Sequence, residues 1–255
     1  MSPAGRYDRL DALRAGAMVW MTVFHLCFDL NHFGLMSRQN FYTDPFWTWQ
    51  RTAIVSLFLF TAGVGQAVAL QQQGLRDRPA WQRLDARFWR RWAQVAGCAL
   101  AVSAGSALVF PHSFIYFGVL HGLALMLIVA RLSAGWGTGL WVAGATAIAL
   151  NYIAFIAVPE SGSGSFFNEK WINWLGLISR KPVTEDYVPL VPWLAAVWWG
   201  LATGFWVQRH RPHWLGGSTP LWRRLAWPGR WSLSYYMLHQ PVLMAVLWCW
   251  VTAWR

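Results

Sequence analysis

The chain alternates between long apolar runs and short polar connections. Each run is close to the roughly 20 residues that a helix needs to cross the hydrocarbon core of a bilayer. No polar stretch is long enough to form a separate soluble domain. The pattern therefore predicts an all-α integral membrane protein, with residues 1–255 forming one polytopic domain of about seven transmembrane helices. We expect the spans at 12–30, 46–70, 89–109, 114–132, 137–158, 190–207 and 232–250.

The composition agrees with the apolar pattern. Hydrophobic residues make up 56% of the chain and charged residues only 12%, against about 25% charged residues in an average soluble domain. The 21 Trp residues are typical of the aromatic belts at membrane interfaces. The expected partner is thus the lipid bilayer.

The basic residues predict the orientation of the chain. If the N-terminus is cytoplasmic, 15 of the 21 Lys and Arg residues fall in cytoplasmic segments, so the positive-inside rule predicts a cytoplasmic N-terminus and an external C-terminus. A net charge of +11 would suggest nucleic acid in a soluble protein. Because topology explains the arginines here, we expect no nucleic-acid partner. No His, Cys or carboxylate cluster has the spacing of metal ligands, so no metal is expected.

The first apolar run carries the most informative polar residues. Arg14 is followed by ten residues and then His25, and Asp29 lies one helical turn further, so the three share one helix face. Ionisable residues at membrane depth are costly to bury and usually functional. Asp29 is expected to hydrogen-bond the His25 imidazole and stabilise its charged form. Such a pair suits a general base or a transient acyl carrier.

Two further histidines are predicted inside the membrane. His121 belongs to the fourth predicted span, and His239 lies about 10 Å into the seventh, from the 1.5 Å rise of a helix. Each could serve chemistry or simply hydrogen-bond between helices.

These segments also resemble a known group of enzymes. The run LDALRAGAMVWMTVFHLCFDL resembles the first helix of the transmembrane acyltransferase superfamily, whose hallmark is Arg, ten residues, His, and PGRWSLSYYMLHQPVL resembles its terminal helix. The runs FHLCFDL, SLFLFTAGVG, FIYFGVLHGLALM and DYVPLVPWL are most similar to the heparan-alpha-glucosaminide N-acetyltransferase catalytic-domain-like family, in its short bacterial form. The similarity extends over about residues 9–246. The family pattern has Arg-Gly where this chain has Arg14-Ala15-Gly16.

The resemblance implies an activity, and the basic and polar residues of the chain supply the candidates for its site. It implies transfer of an acetyl group from cytoplasmic acetyl-CoA, the co-substrate, to a sugar amine or hydroxyl reached from the outer side of a bacterial inner membrane. Catalysis is expected at His25 and Asp29, either by direct transfer or through an acetyl-imidazole. The residues expected near coenzyme A are Arg14, Arg87, Arg90, Arg91, Arg209, Arg230 and His239. The residues expected near the acceptor are His121, Asn151, Asp186 and Tyr187.

Two other classes of function stay open at this level. Two histidines from different spans could ligate a b-type haem in an electron carrier. A transporter without chemistry is a further alternative, although the two halves of the chain show no repeat of the kind that transporters often carry. The acceptor, the acyl chain and the presence of a homo-oligomer are not determined by the sequence.

Overall fold

A computed structural model describes residues 7–160, 162, 165–215 and 219–254. Seven of its helices are long and apolar enough to cross a membrane, which confirms the prediction of a multi-pass all-α protein for this part of the chain. Arg6 and Arg255 of the basic-residue count, and most of the Ser-Gly run at 161–165, lie outside the described residues. The helices are α1 Asp8–His32, α2 Pro45–Gln72, α3 Ala86–Val109, α4 Val119–Ser133, α5 Gly139–Ala157, α6 Leu190–His210, α7 Pro220–Gly229 and α8 Ser232–Trp254.

The fourth span is shorter than predicted. Helix α4 begins at Val119 and not at residue 114, because the preceding residues are held in other contacts. Phe117 forms an isolated β-bridge with Tyr187, and the Phe114 carbonyl accepts a hydrogen bond from Thr184 Oγ1 at 2.8 Å. His121 therefore lies in the first turn of the helix, and its prediction as a residue well inside the span is wrong.

Helix α7 was not expected in the connection between the last two spans. Thr219 caps its N-terminus by accepting a hydrogen bond from the Trp222 backbone N–H, and proline occupies its first position. The helix combines Arg223 and Arg224 with the exposed apolar side chains of Leu221 and Trp227. This mixture is typical of a helix that lies in a membrane interface.

The chain divides into two compact units, which we describe separately. The first consists of Met1–Phe58 and Arg211–Arg255, and the second of Leu59–His210. The single-domain organisation expected from the sequence stays a prediction.

In the first unit, α1 packs against α7 and α8. A Cβ atom at Gly229 would collide with the Asp11 carbonyl, so glycine permits the close approach of α7 to α1. An aromatic-rich core lies beside the C-terminal half of α1 and includes Phe24, Phe41 and Trp47. Trp20 Nε1 adds a hydrogen bond of 2.9 Å to Gln50 of α2. These contacts fix α1, the helix that carries the Arg14 to His25 motif.

In the second unit, small residues bring α2 and α6 into backbone contact. A Cβ at Gly63 would meet the Val197 carbonyl, and a Cβ at Gly200 would meet the Phe60 carbonyl. Gly200 and Gly204 form the G-x-x-x-G pattern that allows close helix packing in membranes. The spacing of these glycines thus determines how closely the two helices approach.

Two buried arginines hold one end of the second unit together. Arg83 donates to the carbonyl of Leu132 at 3.2 Å, and Arg131 forms an ion pair of 3.4 Å with Asp85 and donates to Gln66 at 2.8 Å. The Arg76 guanidinium lies 4.5 Å from the centroid of the Phe205 ring. These contacts join the ends of α2, α4 and α6 to the start of α3. The arginines that make them give this end of the unit a strongly basic character.

We predict that Gly200→Ala destabilises the protein although alanine is the better helix former. The added methyl group would collide with the Phe60 carbonyl, and overpacking of this kind costs roughly 1–3 kcal/mol. The matched control is Gly97→Ala, since Gly97 lies on α3 with no neighbouring atom within 4 Å of an added Cβ. The control should keep or raise the thermal midpoint in detergent. Equal midpoints for the two variants would contradict the proposed packing.

Candidate functional site

Two histidines from opposite ends of the chain meet inside the first unit. The rings of His25 on α1 and His239 on α8 lie edge to face, with their centroids 5.1 Å apart and an angle of 70° between planes. Phe24 packs against the other side of His25 at 5.8 Å. His25 is partly exposed, whereas His239 is only 9% exposed. The structure thus joins two residues that the sequence could place only in separate spans.

The contacts of His239 define which ring nitrogen is available. Its Nδ1 lies 2.8 Å from the Tyr236 carbonyl oxygen, and because a carbonyl can only accept, Nδ1 carries the hydrogen. The ring stacks on Tyr235, with 5.8 Å between centroids and 4° between planes. The Tyr235 hydroxyl in turn is 2.5 Å from Thr22 Oγ1 on α1. The neutral ring therefore presents the lone pair of Nε2, held in place by contacts on its other edges.

The hydrogen-bond partner of Asp29 differs from the one predicted from the sequence. Its side chain is fully buried, and Oδ1 accepts a hydrogen bond of 2.8 Å from Gln240 Nε2. The prediction of a hydrogen bond from Asp29 to His25 is wrong for the described residues. The donor to Asp29 is the Gln240 side chain on α8 and not the His25 side chain on α1. Asp29 remains one helical turn beyond His25 on the same helix.

Beside the contact between His25 and His239, three buried polar atoms on α1 and α8 have no hydrogen-bond partner among the described residues. They are Oδ2 of Asp29, Oε1 of Gln240 and Nε2 of His239. All three are acceptors once His239 carries its hydrogen on Nδ1. A buried acceptor without a partner is costly, so such a cluster fits a bound molecule that supplies N–H or O–H donors. A protonated or neutral amine and sugar hydroxyls are donors of this kind.

The same contacts bear on the haem alternative. The rings of His25 and His239 touch each other directly, and Nδ1 of His239 is engaged by a carbonyl. A porphyrin plane has no space between rings in edge-to-face contact, so this pair does not fit bis-histidine ligation.

Two of the arginines expected near coenzyme A are paired with carboxylates at the start of α1. Arg14 forms an ion pair of 2.8 Å with Asp11, and Arg230 one of 3.1 Å with Asp8. The Arg14 pair lies within α1, whereas the Arg230 pair joins α1 to the residues just before α8. Both pairs neutralise part of the local charge.

The other expected arginines lie in the second unit and are exposed. Arg87, Arg90 and Arg91 follow one another in the first two turns of α3, and Arg209 is near the end of α6. Arg91 donates to Gln94 at 3.4 Å, and no carboxylate lies within ion-pair distance of these four in the part of the chain that the structure describes. Their positive charge is available to an anionic ligand.

The residues expected near the acceptor take part in contacts within the second unit. Asp186 Oδ2 accepts from the backbone N–H of Val119 at 2.7 Å and so caps α4. His121 Nδ1 accepts from the Gly118 N–H at 3.3 Å, which leaves Nε2 to donate to Ser103 Oγ at 3.1 Å. These side chains hold the first turn of α4.

The other two expected acceptor residues order the long connection between α5 and α6. Asn151 Nδ2 donates to the Gly176 carbonyl at 2.9 Å, and the Tyr187 hydroxyl donates to the Asn173 carbonyl at 2.6 Å. Burial, and then the neighbouring Tyr116, raise the pKa of Tyr187, so its phenol stays protonated and remains a donor. A role of these residues toward a sugar stays a prediction.

Gln240 and Thr22 were not predicted from the sequence as site residues. The signal for Gln240 was present, because an amide inside an apolar span needs a partner. The residue that would be its partner could not be identified, since Asp29 lies 211 positions away in the chain.

Comparison with known proteins gives one finding for nearly the whole chain. The family model described as heparan-alpha-glucosaminide N-acetyltransferase, catalytic, matches residues 6–241. No curated protein and no solved structure gives a significant match. The matched region contains the His25 and His239 pair together with Asp29 and Gln240. The chain therefore belongs to the heparan-alpha-glucosaminide N-acetyltransferase catalytic family, whose members are acetyl-CoA-dependent transmembrane N-acetyltransferases.

Proposed function

We propose that this protein acetylates the amine of a glucosamine-type sugar reached from the outer side of a bacterial cytoplasmic membrane, with acetyl-CoA supplied from the cytoplasm. The observation that carries the proposal is the contact between His25 and His239 beside three unpartnered acceptor atoms. An acceptor amine brings the donors that these atoms lack, and a neutral imidazole nitrogen can remove its proton.

In the proposed reaction, His25 is the general base. It accepts a proton from the sugar amine while the amine nitrogen bonds to the acetyl carbonyl carbon and the carbon–sulfur bond breaks. The thiolate leaves and takes up the proton from the imidazolium, so the products are the amide and the free thiol. His239 Nε2 and Asp29 Oδ2 accept hydrogen bonds from the sugar and orient it. A route through acetyl-imidazole on His25 would use the same residues in two steps.

The distribution of positive charge supports the proposal that acetyl-CoA binds on the cytoplasmic side of the membrane. Coenzyme A carries several phosphate groups, and arginine binds phosphate with two parallel hydrogen bonds. The exposed Arg87, Arg90, Arg91 and Arg209 all belong to helix ends that the positive-inside rule assigns to the cytoplasm. We propose that some of these arginines bind the phosphates and that the N-terminus is cytoplasmic. Arg230 would then keep the inner ends of α1 and α8 together through Asp8.

We predict that His25→Ala abolishes most of the transfer while the protein stays folded. Loss of a general base lowers the rate by about 10² to 10⁴-fold. The measurement is sugar-dependent release of free CoA by purified protein in detergent. His112→Ala is the matched control, because His112 is an exposed histidine in the loop between α3 and α4 and belongs to neither proposed site. A fully active His25→Ala variant would refute the assignment.

We predict that Asp29→Asn weakens the binding of the amino sugar more than the binding of acetyl-CoA. The asparagine can still accept the hydrogen bond from Gln240 through its side-chain oxygen. Its amide NH₂, however, replaces the unpartnered Oδ2 of Asp29, so an acceptor becomes a donor. A lost hydrogen bond to a charged acceptor corresponds to an increase of about 10- to 100-fold in KM for the amino sugar. The KM for acetyl-CoA should stay within about twofold. Equal changes in both constants would indicate a structural role only.

The transporter alternative gives a different result in the same preparation. Uptake of labelled sugar into sealed vesicles without any acetylated product, at saturating acetyl-CoA, would favour transport over transfer.

A further inference from the structure

The short helix α7 buries one face against α1 and exposes the remainder of its surface. Ala226 and Gly229 belong to the buried face, and a Cβ atom at Gly229 would collide with the Asp11 carbonyl of α1. Elsewhere on the helix, the apolar side chains of Leu221 and Trp227 are 63% and 64% exposed. An exposed apolar surface of this kind marks a contact with another molecule or with a membrane.

Two arginines lie among the exposed apolar side chains of α7. Arg224 is three positions from both Leu221 and Trp227 along the helix. Arg223 is four positions from Trp227, so each arginine neighbours an apolar side chain on the helix surface. Both arginine side chains are exposed, and neither guanidinium forms a hydrogen bond or an ion pair within the described part of the chain. The arrangement suits a ligand that offers both anionic oxygens and hydrocarbon.

The sequence around α7 supplies no acidic residue. Residues 211–255 contain five arginines and neither Asp nor Glu. On the neighbouring helix α1, Asp8 pairs with Arg230 at 3.1 Å, and Asp11 pairs with Arg14 at 2.8 Å. The two exposed arginines of α7 therefore carry positive charge that no carboxylate in the described part of the chain neutralises by direct pairing.

The position of α7 in the chain places this surface beside the membrane. The helix ends at Gly229, and the apolar helix α8, which is long enough to span a bilayer, begins at Ser232. Trp231 in the short link is 62% exposed, and tryptophan prefers the headgroup region of a bilayer. A helix in this region binds through its apolar area and through electrostatic attraction to anionic lipids.

Helix α7 is also attached to the N-terminal end of α1. The Arg9 guanidinium lies 5.7 Å from the centroid of the Trp222 ring. Nη1 of Arg9 donates to the carbonyl oxygens of His213 and Trp214, in the segment before α7, at 3.4 Å each. These contacts hold the exposed face of α7 in place before a lipid binds, which lowers the entropic cost of binding.

We propose that α7 is a binding surface for anionic phospholipids. Arg223 and Arg224 bind the headgroup phosphates, and the exposed Leu221, Leu225 and Trp227 contact the adjoining parts of the acyl chains. A lipid with net negative charge is favoured over a zwitterionic one, because each basic side chain at a membrane surface gains from a negative surface potential. The apolar neighbours favour a lipid over a soluble phosphate such as coenzyme A, which has no long acyl chain to place beside them. This contact goes beyond the proposed acetyl transfer and does not depend on it.

The test locates anionic lipid on the full-length protein by photocrosslinking. Purified protein is reconstituted in phosphatidylcholine vesicles that carry a trace of photoreactive phosphatidylglycerol or, in a parallel sample, of photoreactive phosphatidylcholine. After digestion with a protease that does not cut at arginine, mass spectrometry measures the label on residues 220–231 and, as an internal control, on α3. The proteins are the wild type, the double variant Arg223→Gln and Arg224→Gln, and the double variant Arg223→Lys and Arg224→Lys.

We expect phosphatidylglycerol to label α7 of the wild type at least about fivefold more than phosphatidylcholine does. The glutamine variant should lose this preference while the label on α3 stays unchanged. The lysine variant keeps both charges and should retain most of the preference. Equal labelling of α7 by the two lipids in the wild type would overturn the proposal, even if the glutamine variant failed to fold. A preference that the glutamine variant keeps, or that soluble coenzyme A abolishes, would also overturn it.

Discussion

The hydrogen bond from Gln240 to Asp29 is the contact on which the candidate site depends. A carboxyl group buried in an apolar helix must find a donor, and the amide of α8 provides one at 2.8 Å. Since Gln240 directly follows His239 in the chain, the same contact brings the His239 ring to His25. The second oxygen of Asp29 and the amide oxygen of Gln240 remain without partners, and these atoms give the site its capacity to bind donors.

The first unit reaches from a charged end to a polar cleft through this helix pair. At one end, the ion pair of Asp8 with Arg230 joins α1 to the residues just before α8, and the pair of Asp11 with Arg14 lies within α1. At the other end, Asn31 fixes the loop after α1, which lines the cleft.

Much of the fold could be predicted from the sequence because the bilayer limits the choices. Apolar runs of about 20 residues predict the helices that are long enough to cross a membrane. In the part of the chain that the structure describes, the start of the fourth helix differs most from its predicted position, since the bridge from Phe117 to Tyr187 depends on a partner far along the chain. Helix spacing placed Arg14, His25 and Asp29 on one face. It could not show that Gln240 would bind Asp29, nor that His121 and Asp186 would hold the first turn of α4, because these contacts depend on tertiary packing.

The central claim is transfer of an acetyl group to an amino sugar, and sealed vesicles containing the purified wild-type protein test it most directly. Acetyl-labelled acetyl-CoA is supplied on the side of the basic helix ends and the amino sugar on the opposite side. The account predicts labelled N-acetylated sugar on the acceptor side, in amounts equal to the CoA released on the donor side. Folded protein that binds acetyl-CoA but transfers no label to any amino sugar would contradict it.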